Sequence, residues 1–283
     1  MKVVRTAVEL SDAIGRNESV HFVPTMGYLH DGHLSLIRAA ARDANAGRPK
    51  GVVVVSSFVN PTQFNDPRDL KAYPRDEPRD IELARSAHCD VFFAPDVDTI
   101  YREGLSGTRV HVPGVSERWE GEFRPGHFDG VATVVAKLFH LVVPTVAYFG
   151  EKDWQQCRVI AKMVDDLDFP LSLKFCETVR EPDGLAMSSR NARFRPEVRA
   201  KAPALYETLR EGARAAAAGG DLRTIERGAE HALRVAGFEK VDYFAIVDER
   251  TLERTDSPTA GTRVIAAAWI GGVRLIDNVE VPV

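Results

Sequence analysis

The sequence predicts an α/β protein, with a parallel sheet covered by helices on both faces and a smaller α+β domain after it. Short β-branched runs alternate with amphipathic helices through the N-terminal part of the chain. After Pro182-Asp183-Gly184 this alternation gives way to long helices rich in Ala, Arg and Glu, and then to short strands. Strands that alternate with helices indicate βαβ units and a parallel sheet.

The N-terminal elements follow from apolar runs and their spacing. The run 51–59 is β-branched enough to be a central strand buried on both faces. The other predicted strands are His21–Pro24, Asp90–Phe93, Val146–Phe149 and Leu171–Phe175. One predicted helix is marked by Leu34, Ile37, Ala41 and Ala44, and another by Ile81, Ala84 and Ala87. Two more helices are predicted over Val131–Val142 and Trp154–Asp165. The stretch Asn60–Pro78 is predicted to be a polar loop.

The C-terminal part has a different texture, and we place the domain boundary where it begins. Helices are expected over Pro196–Gly219 and Leu222–Ala236. Short strands are expected at Val241–Val247, Val264–Trp269 and Val273–Ile276. The chain therefore divides into residues 1–183, with the parallel sheet, and residues 184–283, with an antiparallel one. Its 283 residues are enough for two cores.

Composition excludes several classes of protein. A net charge of −4, with acidic and basic residues interspersed, argues against a nucleic-acid partner. No apolar run is long enough for a membrane helix, and the N-terminus lacks the features of a secretory signal, so we expect a cytoplasmic protein that binds no membrane. The three cysteines form no CxxC pair, and we interpret them as buried or inert thiols.

The octet Met26-Gly27-Tyr28-Leu29-His30-Asp31-Gly32-His33 lies where a strand turns into a helix. The start of a helix presents unpaired N–H groups and the positive end of the dipole, so it favours phosphate. Glycines let the backbone approach a ligand, and two histidines one helical turn apart reach the same bound group. This pattern points to a nucleoside triphosphate, although an isolated HxxH is more often a surface pair.

Other polar segments follow predicted strands, where open parallel sheets bind ligands. Neither a G-x-G-x-x-G fingerprint nor a Walker A loop is present, so a nucleotide would bind in another way. The amide of Gln63, in Asn60-Pro61-Thr62-Gln63-Phe64, both donates and accepts and suits a hydroxy acid with a carboxylate. The alternative is a plain turn with exposed amides.

The segment Gly150-Glu151-Lys152-Asp153-Trp154-Gln155-Gln156 follows the strand that ends at Phe149. Lys152 supplies a positive charge for phosphate, Asp153 suits ribose hydroxyls, and Gln156 lies one turn further on. The alternative is an ordinary helix start capped by Asp153. That alternative leaves Lys152 unexplained.

Two further segments allow two interpretations each. Met187-Ser188-Ser189-Arg190-Asn191 combines hydroxyls with a guanidinium and is either an anion clamp or a helix cap. The Gly-bracketed segment Arg124–Gly130 either faces the ligand or sets up the helix that follows it.

Together these segments resemble the pantothenate synthetases, a family of HxGH nucleotidyltransferases. The resemblance covers essentially the whole chain and rests on Pro24–Gly27 with His30–His33, Phe58–Phe64, Tyr73–Arg75, Arg124–Phe128, Tyr148–Asp153 with Gln155-Gln156, Met187–Asn191, Ala267–Trp269 and Arg274–Asn278. The chain departs from the expected pattern at Asp129, at Trp154 and at Ser56-Ser57. None of these is a motif residue.

The resemblance implies a Rossmann-like first domain that holds ATP, a C-terminal domain that acts as a lid, and a homodimer. It also implies the reaction: ATP, (R)-pantoate and β-alanine give pantothenate, AMP and diphosphate through a pantoyl-adenylate, with Mg²⁺ required. His33 is then the proton donor, and His30 and Lys152 complete the catalytic set.

The resemblance further implies the binding residues, with no protein ligand assigned to a metal. Those for ATP are Met26, Gly27, Tyr28, Leu29, His30, Asp31, Gly32, His33, Gly150, Glu151, Lys152, Asp153, Val179, Met187, Ser188, Ser189 and Arg190. Pantoate is assigned to Gln63 and Gln156, and β-alanine to Gln63.

Two other functions compete with this one. An adenylyl transferase acting on a phosphate acceptor would call for Arg or Lys in place of Gln63 and Gln156. A metal-binding or regulatory module built on His30 and His33 needs further ligands, and no cysteine or third histidine at ligand spacing supplies them.

Overall fold

A parallel sheet of six strands is the framework of the first part of the chain. The computed structural model describes residues 1–15, 19–47 and 50–282. The strands of this sheet are β1 (Lys2–Val4), β2 (Val20–Thr25), β3 (Val52–Ser57), β4 (Val91–Phe93), β5 (Val146–Gly150) and β6 (Ser172–Cys176). They pair in the order β1-β4-β3-β2-β5-β6, and every pairing is parallel. The predicted parallel sheet is confirmed, and β1 is a short strand that the sequence pattern did not indicate.

Helices cover both faces of this sheet, as predicted. They are α1 (Ala7–Ile14), α2 (Asp31–Ala46), α3 (Pro67–Ala72), α4 (Glu77–Ser86), α5 (Val97–Ile100), α6 (Glu120–Phe123), α7 (His127–Val142) and α8 (Trp154–Asp166). Val23 and Val55 form a buried core with Ile37 of α2. Phe22, the neighbour of Val23, points to the other face, where its ring meets Phe139 of α7 at 6.4 Å between centres.

The stretch Asn60–Pro78 is not the continuous loop that its polar composition predicts. It contains a 3₁₀ turn at Pro61–Gln63, the whole of α3 and the start of α4. Asp66 and Asp76 cap these two helices by accepting backbone N–H groups, and each helix has a proline in its first turn. The helices begin with polar residues, and this is why a pattern of apolar spacing misses them.

A three-stranded antiparallel sheet organises the C-terminal part, in the order β7-β8-β9. Its strands are β7 (Lys240–Asp248), β8 (Thr262–Ile270) and β9 (Val273–Glu280). The helices of this part are α9 (Pro196–Arg199), α10 (Ala204–Ala217) and α11 (Leu222–Val235). The single helix predicted over 196–219 is interrupted ahead of Pro203, which has no N–H group to continue it.

The chain separates into two compact units. The first contains Met1–Glu151 and Val159–Glu177, and the second contains Lys152–Arg158 and Thr178–Val283. The second unit therefore includes a short piece of chain around the start of α8 as well as the C-terminal part. The boundary at residues 183 and 184 stays a prediction. In the part of the chain that the structure describes, no helix is long and apolar enough to cross a membrane.

Candidate active site

The two histidines of the octet stand at the start of α2, as the sequence predicts. Strand β2 ends at Thr25, and Gly27 and Tyr28 take positive φ angles of 76° and 50°, which turn the chain into the helix. His30 is the residue that precedes the first helical position. The rings of His30 and His33 lie 4.1 Å apart between centres. Both imidazoles therefore sit together at the positive end of a helix dipole.

The contact between these histidines indicates which nitrogen of His33 carries the proton. The backbone N–H of His30 donates to Nδ1 of His33 over a long 3.4 Å. An imidazole nitrogen that accepts a hydrogen bond carries no proton, so neutral His33 holds its proton on Nε2. His33 can then donate a proton or a hydrogen bond through Nε2.

Asp80 of α4 holds the loop in front of these histidines. Its carboxylate accepts the backbone N–H of Tyr28 at 2.7 Å and that of Leu29 at 2.6 Å. Asp80 is only 1% exposed, and burial raises the pKa of its carboxyl group. A Cβ atom added to Gly27 would lie 3.0 Å from this carboxylate and 2.6 Å from the Ser57 hydroxyl, so the loop has room only for glycine there. No pattern in the sequence marks Asp80.

Arg79 completes this support from the neighbouring position on α4. Its guanidinium donates to the carbonyl of Leu29 at 2.9 Å and lies 5.5 Å from the centre of the Tyr28 ring. The predicted ATP contacts Tyr28 and Leu29 thus use their main-chain groups within the protein, and the Leu29 side chain is fully buried.

The Gln63 side chain is buried within the first unit rather than exposed in a plain turn. It is 8% exposed, and its Oε1 accepts from the Asn60 amide at 3.1 Å. Its Nε2 donates to the sulfur of Met26 at 3.0 Å. A thioether is a weak acceptor, so a substrate oxygen can replace it at little cost. The pentapeptide therefore presents one oriented amide beside the octet.

The segment that leads into α7 fixes the backbone of the Gln63 turn. His127 Nδ1 lies 2.8 Å from the carbonyl oxygen of Gln63, and Arg124 donates to the same oxygen at 3.4 Å. A Cβ atom on Gly130 would come within 2.6 Å of the Thr62 carbonyl, so the helix can approach this closely only with glycine. Of the two interpretations of Arg124–Gly130, the helix start is observed, and it also supports Gln63.

Lys152 and Asp153 belong to the second unit, whereas Gly150 and Glu151 belong to the first. Lys152 and Asp153 lie in a 3₁₀ turn ahead of α8, with Lys152 Nζ 3.6 Å from Asp153 Oδ1. The side chain of Lys152 is 21% exposed and so remains reachable. Gln156, the residue predicted to bind pantoate, is half-buried in the first turn of α8.

The other predicted ATP contacts of the second unit lie on one hairpin. The backbone of Met187 donates to the carbonyl of Val179 at 3.0 Å, which brings these two distant residues side by side. A 3₁₀ turn follows at Ser189–Arg193, and the Ser188 hydroxyl caps it by accepting the N–H of Arg190 at 3.2 Å. The cap that the sequence allows is therefore observed at Ser188, and the anion clamp stays a prediction.

The cysteines take no part in these clusters. Cys89 and Cys157 are buried, and Cys176 is half-buried. Burial raises the pKa of Cys89 to about 12, which keeps it protonated and unreactive at neutral pH. Among residues 1–15, 19–47 and 50–282, no group of three or more His, Cys, Asp or Glu side chains is arranged to hold a metal ion.

The site residues thus form two sets, one in each unit. The model of the family described as Pantoate-beta-alanine ligase matches residues 2–280 of the chain. The chain belongs to this family. It is a ligase that forms an amide bond.

Individual relatives agree with this assignment along nearly the whole chain. A pantothenate synthetase from Thermus thermophilus is 50% identical over 282 residues, which is 99% of each chain. The crystal structure of pantothenate synthetase from the same organism matches with a TM-score of 0.92 at 49% identity, again over 99% of each chain. A Francisella tularensis pantoate-beta-alanine ligase, described as complexed with beta-gamma ATP and beta-alanine, matches with a TM-score of 0.83 at 33% identity, over 99% of this chain and 97% of that one.

Proposed function

We propose that the chain joins (R)-pantoate to β-alanine at the expense of ATP, through a pantoyl-adenylate, and releases AMP and diphosphate. Family membership supports the reaction. The observation that carries the residue assignment is the pair of histidines, with ring centres 4.1 Å apart, at the start of α2. The Francisella relative, described as complexed with beta-gamma ATP and beta-alanine, supports these two substrates.

In the first step a carboxylate oxygen of pantoate attacks the α-phosphorus of ATP. The new bond joins that oxygen to the phosphorus, and the bond from the α-phosphorus to the oxygen bridging to diphosphate breaks. Negative charge grows on the leaving diphosphate, so donors aimed at it accelerate the step. His33 Nε2, His30, Lys152 and Arg190 are the proposed donors, with the hydroxyls of Ser188 and Ser189 beside them.

In the second step the neutral amine of β-alanine attacks the acyl carbon, the amide bond forms as the bond to AMP breaks, and the nitrogen releases one proton. The Gln63 amide is proposed to hold pantoate and β-alanine, since its donor already points at an exchangeable partner. Gln156 is proposed as a second contact for pantoate. With both substrates held on one enzyme, positioning supplies much of the rate.

Mg²⁺ is part of the proposal because the substrate is a triphosphate. Mg²⁺ usually binds through one or two carboxylates together with substrate phosphates and water. Both Asp80 oxygens already accept backbone N–H groups. The described residues therefore fit an ion carried mainly by the ATP phosphates, with Lys152 and Arg190 adding positive charge beside it. When bound, Mg²⁺ neutralises phosphate charge and orients the leaving diphosphate.

The oligomeric state and the cellular location are also proposals. We infer a homodimer from the family resemblance. A cytoplasmic location is likewise a proposal.

The reaction is tested by product analysis and one pair of variants. AMP, rather than ADP, is expected to appear only when pantoate is present. His33→Ala is expected to slow pantoate-dependent diphosphate release by about 10²-fold or more, since it removes a donor to the growing charge. His231→Ala, at an exposed position on α11, is the matched control and should leave the rate unchanged. Near wild-type turnover of His33→Ala would remove this residue from the catalytic set.

A further inference from the structure

Two neighbouring residues of β9 contact both of the segments that carry the second unit's ATP-directed side chains. The amide of Asn278 donates to the main-chain carbonyl of Lys152 at 3.0 Å. Asp277 accepts from both terminal nitrogens of Arg180, at 2.6 and 3.0 Å. Asp277 and Asn278 are 4% and 5% exposed. One short piece of strand therefore touches the Lys152 segment and the Val179–Met187 hairpin.

Asn278 is itself held on its other side. Its Oδ1 accepts from Nη1 of Arg263 at 2.6 Å, and the Arg263 guanidinium stacks on the ring of Trp154 at 3.8 Å from the centre. The indole N–H of Trp154 then donates to the carbonyl of Glu249 at 3.0 Å. The chain that follows Lys152 is thus fastened to the antiparallel sheet at two points. Both points depend on directional polar contacts.

Arg180 is equally constrained on the hairpin. Besides the paired bonds to Asp277, it donates to the carbonyl of Gly184 at 3.2 Å and stacks on the ring of Tyr206 at 3.6 Å. Asp277 also accepts the backbone N–H of Asn278 at 2.8 Å, so the two anchors share one local geometry. The hairpin leads directly into the turn that begins at Ser188.

Burying polar groups costs free energy unless each of them has a correctly placed hydrogen-bond partner. These groups add no apolar packing that would offset that cost. We propose that Asp277 and Asn278 are positioning residues, which set the placement of Lys152 relative to the Ser188–Arg190 turn for the adenylation step. This inference rests on the proposed role of Lys152. A displacement of about 1 Å at a catalytic group is enough to cost about 10²-fold in rate.

Asn278→Asp is the sharpest test. The carboxylate keeps the shape and the acceptor for Arg263, but it replaces the donor to the Lys152 carbonyl with a second oxygen. We expect kcat/KM for ATP in pantoate-dependent diphosphate release to fall about tenfold, the equivalent of about 1.4 kcal/mol. The KM for β-alanine should stay within about twofold, because no contact of Asn278 concerns the amine. Asn278→Ser, which is too short to reach the carbonyl and adds no charge, should show a smaller loss of the same kind.

The control removes a comparable hydrogen bond from the same sheet. Trp269→Phe deletes the indole donor to Asp242, at 3.0 Å, and leaves the Lys152 segment untouched. Urea unfolding of every variant checks that the measured protein is folded. Wild-type diphosphate release in both Asn278 variants, or an equal loss in Trp269→Phe, would overturn the inference.

A double-mutant cycle separates this inference from the proposed function. If Asn278 acts through Lys152, Asn278→Asp should cost no more than about twofold in a Lys152→Ala background. A full tenfold loss in that background contradicts the positioning role while leaving Lys152 in the mechanism. An unchanged rate in Lys152→Ala alone would instead show that the proposed role of Lys152 is wrong, and the inference would fall with it.

Discussion

The two units hold their proposed phosphate-binding segments by different means. In the first unit one buried carboxylate, Asp80, accepts two main-chain N–H groups of the loop before His30. In the second unit the charges of Arg180 and Asp277 satisfy each other, and a neutral amide, that of Asn278, touches the main chain at Lys152. The first anchor is a carboxylate that accepts from the main chain, whereas the second is an ion pair beside an amide that donates to it.

This difference indicates what each anchor tolerates. A carboxylate offers an acceptor to each of two N–H groups, so the first anchor depends on having two oxygens. The second depends on one donor and on the planar fork of a guanidinium. An isosteric exchange of amide and acid should therefore damage both, but by opposite chemistry.

Among changes to the two anchors, the largest effect is expected from Asp80→Asn. The amide nitrogen of Asn cannot accept, so one of the N–H groups of Tyr28 and Leu29 loses its partner, at a cost of about 1–3 kcal/mol. The loop that orients His30 shifts, and diphosphate release should fall by about 10²-fold. Assays of diphosphate release measure the loss of rate, and urea unfolding measures the loss of stability.

Asp76→Asn is the matched control for this prediction. Asp76 accepts the N–H of Arg79 at the start of the same helix, and asparagine caps a helix as well as aspartate. Equal behaviour of the two variants would mean that Asp80 contributes only a generic helix charge.

Much of the fold follows from the sequence, whereas these anchors do not. The strands that start at Val20, Val52 and Val146 are apolar runs, and a run is visible locally. Position next to such runs is enough to mark four candidate site residues, namely His30, His33, Gln63 and Lys152. Asp80 and Asn278 act through contacts 51 and 126 residues away, and Asp80 lies in an ordinary helical pattern. Long-range polar pairing has no local signature in one sequence.

A smaller effect is expected from Arg180→Lys, which tests the charged part of the second anchor. Lysine keeps the charge but loses the paired bonds to Asp277 and the stacking on Tyr206, so the free energy of unfolding should fall by about 1–2 kcal/mol. Arg68→Lys, at a surface ion pair whose arginine side chain is 92% exposed, should change it by less than about 0.5 kcal/mol. Urea titrations decide the matter, and equal values for the two variants would show that Arg180 behaves as a surface residue.

The smallest effect concerns the far end of α2, where the half-buried Asp43 ties the helix to its neighbours. Asp43 accepts from the Tyr148 hydroxyl at 2.8 Å and from Lys174 at 2.7 Å, and His21 Nδ1 lies 2.7 Å from that hydroxyl. Ser19 lies 3.0 Å from the other ring nitrogen of His21. Burial lowers the pKa of His21 from its usual 6.5, with Lys174 acting in the same direction and Asp43 opposing it.

The sign of the pH dependence follows from that lowered pKa. The unfolded chain binds a proton at His21 near pH 6.5, and the folded chain binds it only at lower pH. The contribution of neutral His21 to the free energy of unfolding is therefore complete above pH 6.5 and is lost as the pH falls towards the pKa of the folded state. The slope from this one proton is at most about 1.4 kcal/mol per pH unit. His21→Asn keeps a donor for Tyr148 but does not titrate, so the slope between pH 7.5 and 5 should be shallower than in the wild type. His88→Asn, at an exposed histidine, is the control. An unchanged slope in His21→Asn would mean that the contacts at this end of α2 do not depend on the protonation of His21.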